Sequence, residues 1–281
     1  MSTLVPSLFA GLVDDASLLP PSFVSLPDAV AKHGEHRAGW FAGLLGPLLV
    51  PASLIGGDLP AREVPVALVG DVPVSALPVA VEKLRTAGAV VLHVEAPVAR
   101  RGEDPQPGLG QLRALAGNDK DIEVYAEIPL SWGLLGALDT VAECRAEGLR
   151  IAPKFRVGGL AAELFPTPVE LAAVVCACRD RDLPFRLAAG LRHAIRHTDP
   201  ETGFTHHGFL NVLAAAILAV EGAEVAEVAE LLAATHPLPL VEPSRLRRDG
   251  PRPLFVGFGA ANVVEPLTEL VRLGLINGGP E

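Results

Sequence analysis

The sequence predicts one α/β domain, residues 1–281, closed into a (β/α)8 TIM barrel. Three observations carry that expectation. Eight short runs rich in Val, Ile, Leu and Ala alternate with stretches of helical pattern. The chain has 281 residues, and a barrel of this kind uses roughly 250 once. No glycine-rich dinucleotide loop follows the first run, which disfavours the open doubly wound sheet, the other fold with this alternation.

The candidate strands are Leu8–Asp14, Pro47–Pro51, Val64–Val69, Ala89–Glu95, Ile122–Ile128, Arg150–Arg156, Pro184–Ala189 and Leu254–Gly257. Continuous apolar runs without clean alternation are how parallel strands buried on both faces read. Between them, Pro27–Leu45 opens on Pro27-Asp28, and Ser75–Ala87 ends near Gly88, a C-cap signal. Gly108–Ala116 is short, and Leu134–Glu147 stops at Gly148. Thr167–Arg179 has Thr167 as N-cap, Pro168 at N1 and Glu170 at N3. Asn262–Leu275 closes the chain. The long segment 191–253 between the last two strands contains helical Thr205–Val220 and Val225–Ala234, then a Pro- and Arg-rich stretch from His236 to Pro253. An insertion there belongs to the C-terminal face of a barrel, as a lid or as a dimer arm.

Half of the residues are apolar (49%) and a fifth are charged (20%), which excludes a disordered chain. The formal net charge of −10 disfavours a general nucleic-acid partner. Cys144, Cys176 and Cys178 make no framework and read as reduced, buried thiols. The N-terminus lacks the charged start of a signal peptide, and no apolar run approaches the roughly 18 residues of a membrane span. A cytoplasmic protein without membrane contact is expected; a homo-oligomer remains compatible.

In a barrel, chemistry sits where strands end and βα loops begin. Ionisable residues interrupt apolar strands at such places: Asp14-Asp15, His93 and Glu95, Glu127, Lys154 and Arg156, and Arg186 followed by Arg192-His193. By period two, His93 and Glu95 share one side of their strand, and Lys154 and Arg156 share one side of theirs. A desolvated lysine beside cations has a depressed pKa and becomes a usable nucleophile. Lys154 beside Arg156 and Arg186 fits that description, with Glu95, Glu127 or His93 for acid–base work. It also fits a structural ion pair with Glu127. Asp15, Arg192, His193, and the i, i+4 pair His207 and Asn211 are candidate substrate contacts, as are Gly158, Gly159 and Gly190. Asp14 and Asp15 also fit caps of the turn Leu18-Leu19-Pro20-Pro21. Gly257-Phe258-Gly259 before the last helix offers a weak phosphate cradle. The histidines 193, 197, 206 and 207 lack a familiar zinc spacing.

Three segments resemble class I deoxyribose-phosphate aldolase and its relatives: Ala87 through Pro97, Lys154 through Gly159, and Phe185 through Arg192. Those enzymes are (β/α)8 barrels with a Schiff-base lysine in a Lys-Thr-Ser-Thr-Gly pattern. Their second lysine lies in a Phe-Lys-Pro-Ala-Gly-Gly pattern. The resemblance matches Lys154 to the imine lysine and Gly158 to the glycine four residues on. It puts Arg186 at the second lysine and His93 at the proton-shuttling aspartate. Over most of its length the chain also resembles a bacterial and plant barrel family to which no reaction is attached. The shared pieces are Leu18–Pro21, Lys154–Gly159, Ala189–His193 and His207–Asn211, and they imply one domain and one site.

The expectation is therefore a lyase of the aldolase kind acting on a small anionic carbonyl or phosphorylated substrate through Lys154, without a cofactor. One alternative is a metal-dependent isomerase or lyase with a divalent ion on His93, Glu95, Glu127 and His193. Another is a degenerate barrel that binds a small anion without turnover.

Overall fold

A computed structural model describes residues 4–20, 22, 24–56 and 64–278; Pro21 of the first turn lies outside them. Eight parallel strands close in the order β1-β10-β7-β6-β5-β4-β3-β2, with β2 pairing back on β1. They are β1 (Val13–Asp15), β2 (Leu45–Pro51), β3 (Pro65–Val69), β4 (Val90–Pro97), β5 (Glu123–Glu127), β6 (Ile151–Arg156), β7 (Phe185–Ala188) and β10 (Phe255–Ala260). The expected TIM-type barrel is therefore the fold.

Six helices separate the strands or follow them: α1 (Leu26–Ala38), α2 (Leu77–Thr86), α3 (Gln106–Asn118), α4 (Leu134–Ala146), α5 (Pro168–Arg179) and, last in the chain, α9 (Val264–Arg272). Local chemistry sets their starts. Ser25 caps α1 by accepting from Asp28 N, and Thr167 and Glu170 form the capping box of α5. Each helix lays an apolar stripe on the outside of the barrel, where one continuous core forms. The three cysteines are free and buried. Among the described residues, no helix is long and apolar enough to cross a membrane.

Several boundaries differ from the sequence reading. The first strand begins at Val13, because Ser7–Phe9 forms a 3-10 turn and Gly11 takes a positive φ of 60°. Helix α1 stops at Gly39, and Leu45, expected at a helix end, opens β2. Gly257-Phe258-Gly259 is not a phosphate loop: it lies inside β10. A Cβ on Gly257 would stand 2.8 Å from the Leu12 carbonyl and 3.3 Å from Arg186 Nη2, so this glycine makes room for a charged side chain.

Segment 191–253 folds as a hairpin and three helices. The hairpin pairs β8 (His197–Thr198) with β9 (Thr205–His206), so the helix expected from Thr205 starts only at Phe209. Then come α6 (Phe209–Val220), α7 (Val225–Ala233) and α8 (Leu238–Leu246). Helix α6 is buried along most of its length, packed on β10, α5, α7 and α8. Helix α8 escaped the sequence reading because it contains prolines. Pro239 costs nothing in the first turn, where N–H groups lack partners anyway, and only Pro243 lies in the interior.

Candidate active site

The barrel interior is divided. In-register neighbours point to the same side of a sheet, and two such rows bring the ionisable residues together. One row is Val69, Glu95 and Tyr125 across β3, β4 and β5; the other is Glu127, Lys154 and Arg186 across β5, β6 and β7. Ala16, Leu49 and Ala67 form a separate small apolar cluster. The charges come from β4–β7, joined by Asp14 of β1.

Lys154 Nζ stands 2.8 Å from Glu95 Oε2 and 3.0 Å from Glu127 Oε2, with only 7% of its side chain exposed. Glu95 Oε1 meets Arg186 Nε and His93 Nε2, each at 3.2 Å. Glu127 Oε1 meets Arg156 at 3.1 Å. Arg186 also pairs with Asp14 and lies over the Tyr125 ring, 5.1 Å from its centroid. Three carboxylates (Asp14, Glu95, Glu127) therefore face three cations (Lys154, Arg156, Arg186). That balance is what makes so many charges tolerable inside a barrel.

The electrostatics reverse one expectation. Burial pulls the Lys154 amine down, but contact with Glu95 and Glu127 outweighs it and leaves the pKa raised. Arg156 pairs with Glu127, and the two carboxylates are the amine's own ion-pair partners. Burial would lift the Glu95 carboxyl, yet the Lys154 charge and His93 hold it down at about 2. Glu127 is lowered too: burial is overcome by Lys154 and Arg156. Burial and the charge of Arg252 take the Arg186 guanidinium to about 9. It stays protonated at neutral pH.

The two glutamates differ in freedom. Both oxygens of Glu95 are engaged by three partners in a closed interior, so it anchors. Glu127 keeps 18% of its side chain exposed and shares Oε1 with a half-exposed arginine, so it is the carboxylate able to move.

The structure thus joins Lys154, Glu95, Glu127, His93, Arg156 and Arg186 of the expected set. Asp14 and Tyr125 lie with them, and the other expected residues are placed outside this cluster. Asp15 points outward, where Oδ2 meets His33 on α1 at 3.1 Å; Asp14, one residue earlier, faces inward. Arg192 is taken by Glu265 and His193 by Glu269, both on α9. Asn211 is spent on backbone: it accepts from Arg196 N and donates to the carbonyls of Leu231 and Ala234. His207 bonds the Pro166 carbonyl through Nε2 at 2.8 Å. Three of these tie loops to helices and His207 ties one loop to another, and none joins the ionic cluster.

The glycines shape the rim. Strand β7 ends in two residues of positive φ, Ala189 at 60° and Gly190 at 74°. There its backbone crosses the chain leaving β6, and a Cβ on Gly158 would stand 2.7 Å from Gly190 Cα. Neither side of that contact is a flexible side chain. Gly158→Ala is accordingly expected to cost about 1–3 kcal/mol through forced backbone movement. Thermal melting checks this, and an unchanged transition would refute the crossing. Gly159 makes room for Leu164.

Beside this cluster opens a cleft of about 1000 Å³ between the loops after β4, β5 and β6, with Glu127 and Arg156 in its wall. For a metal, Asp14, His93 and Glu95 offer ligand atoms within 4.8 Å of one another. Arg186 already contacts two of the three, so a guanidinium holds the place a cation would take. The set expected from sequence, with Glu127 and His193, is not gathered: Glu127 serves Lys154 and Arg156, and His193 serves Glu269.

The class defined so far is a parallel α/β barrel with a charge-balanced ionic cluster, of which Glu127 and Arg156 also line a cleft. Neither models of known protein families nor curated proteins give a match to the chain.

Proposed function

We propose that the barrel is a lyase of the aldolase kind that acts on a small anionic carbonyl compound through an imine at Lys154. The observation that carries this reading is the contact of one buried amine with two carboxylates, 2.8 and 3.0 Å away, beside a cleft. The resemblance to class I aldolases at Lys154 and Gly158 points the same way.

At rest the amine is charged and cannot attack. A substrate anion entering the cleft would take Arg156 from Glu127. Without that guanidinium the Glu127 carboxylate becomes more basic and accepts a proton from Lys154 Nζ. The freed amine adds to the carbonyl carbon, a C–N bond forms, and the oxygen takes a proton to give the carbinolamine. Loss of water leaves the iminium; Glu127 then takes the proton of a hydroxyl on the β-carbon, the bond between the α- and β-carbons breaks with its electron pair passing to the iminium, an aldehyde departs, and the remaining enamine is protonated on carbon and hydrolysed to free the lysine. Glu127 returns the proton in the reverse sense, while Glu95 and Arg186 hold the lysine in place.

Borohydride reduction in the presence of aldehydes and 2-oxoacids tests this, read by intact mass and peptide mapping. The expected result is one adduct at Lys154, with Glu127→Gln slowing its formation by about 10²–10⁴-fold, the usual contribution of a positioned acid–base group. No adduct with any compound would overturn the imine. The raised pKa of Lys154 favours a second reading, in which the ammonium stays charged and stabilises an enolate while Glu127 moves the proton. Turnover without trapping would select it.

A further inference from the structure

The cleft beside the ionic cluster is larger and less polar than a three- or four-carbon oxoacid requires. Its volume of about 1000 Å³ sits at the top of the range for pockets that enclose drug-sized ligands, about 300–1000 Å³. Its wall carries Glu127 and Arg156 at the ends of β5 and β6, and Leu130, Leu134, Leu164, Phe165 and Val174 from α4, α5 and the loops that lead into them.

Four other charged residues line the wall, Arg100, Arg101, Glu163 and Glu170, and two of them are held by the scaffold. Glu170 closes the capping box of α5. Arg101 donates to the carbonyls of Leu130 and Glu163, tying together the two loops that flank the opening. Leu135, also on the wall, is exposed, so part of this apolar lining faces solvent until an apolar group covers it.

Resting on the imine reading above, we infer that the substrate is an amphiphile: a 2-oxoacid whose carboxylate pairs with Arg156, whose carbonyl reaches Lys154, and whose alkyl or aryl tail fills the channel between α4 and α5. Charge complementarity fixes the head end, and the apolar walls fix the tail end. A sugar phosphate would leave hydroxyls against leucine and phenylalanine without partners.

Straight-chain 2-oxoacids of three to ten carbons test this with the full chain, by calorimetry and by borohydride trapping in parallel. The expected result is affinity rising about fourfold for each methylene added until the channel is full, the factor set by burying one methylene. In Leu134→Gln, with folding checked by melting, that slope is expected to flatten. Trapping at Lys154 that is indifferent to chain length would overturn the amphiphile and leave the imine standing. Length-dependent binding without any adduct would uphold the channel and overturn the imine. Binding of none of the acids would overturn this inference outright.

Discussion

Lys154→Met is expected to lower stability by about 3–5 kcal/mol at neutral pH, because it leaves two buried carboxylates without their shared cation. The sign with pH distinguishes this from ordinary cavity loss. In the wild type, Glu95 is held below its usual 4.5 at about 2. Its contribution is present above 4.5 and is lost as pH falls toward 2. Lys154 is raised above 10.5, so its contribution is complete below that pH and is lost as pH rises through its folded value.

Remove the amine, and burial becomes the stronger influence on Glu127 and the less compensated one on Glu95. Their carboxyls then titrate upward, and the variant gains stability, relative to the wild type, as pH falls. The deficit should therefore be widest near pH 8 and shrink toward pH 4. Denaturant unfolding at the two values measures it. The double variant with Glu127→Gln should recover part of the loss, since neighbours that share a contact are not additive. A Lys154→Met protein as stable as the wild type at pH 8 would show that the ammonium does not bridge the carboxylates.

The parts of this site that were legible from sequence were those where an ionisable residue interrupts an apolar strand. His93, Glu95, Lys154 and Arg186 had to be inside or paired, because the residues on either side of each are apolar. The sign of the Lys154 shift was not legible. Two residues along a strand are about 6.6 Å apart, whereas neighbouring strands lie about 4.8 Å apart, so cross-strand partners reach the amine before Arg156 does. Which carboxylates those are depends on barrel register, and no local pattern states it.

The same holds at Asp14 and Asp15. Period two says that one faces in and the other out. Which one depends on how β1, only three residues long, meets Gly259 of β10 and the register shift against β2. Gly46 was a signal of the answer. A Cβ there would collide with Asp14 Oδ1, so the glycine leaves space for an inward carboxylate. The hairpin of β8 and β9 was invisible because each strand has two residues, too few to show alternation.

Arg186→Ala carries the second large effect. The side chain is 5% exposed and contacts Asp14 and Glu95, so its removal leaves Asp14 buried without a partner and Glu95 short of one. A loss of about 3–5 kcal/mol is expected on that ground. The loss has a chemical remedy, however. Asp14, His93 and Glu95 remain with ligand atoms within 4.8 Å of one another, now without a guanidinium among them. Two carboxylates and an imidazole are a common donor set for zinc or cobalt.

Cobalt(II) added to Arg186→Ala should therefore raise the melting temperature in a concentration-dependent way and give a visible absorption band, as mass action requires of a ligand that binds only the folded state. The wild type, with its own cation in place, should show neither effect. If the wild type binds cobalt as well as the variant does, Arg186 is not the internal counter-ion, and the metal-dependent alternative for this barrel regains its footing. If the variant is destabilised but cobalt leaves it unchanged, the three donors do not converge on one ion once the guanidinium is gone.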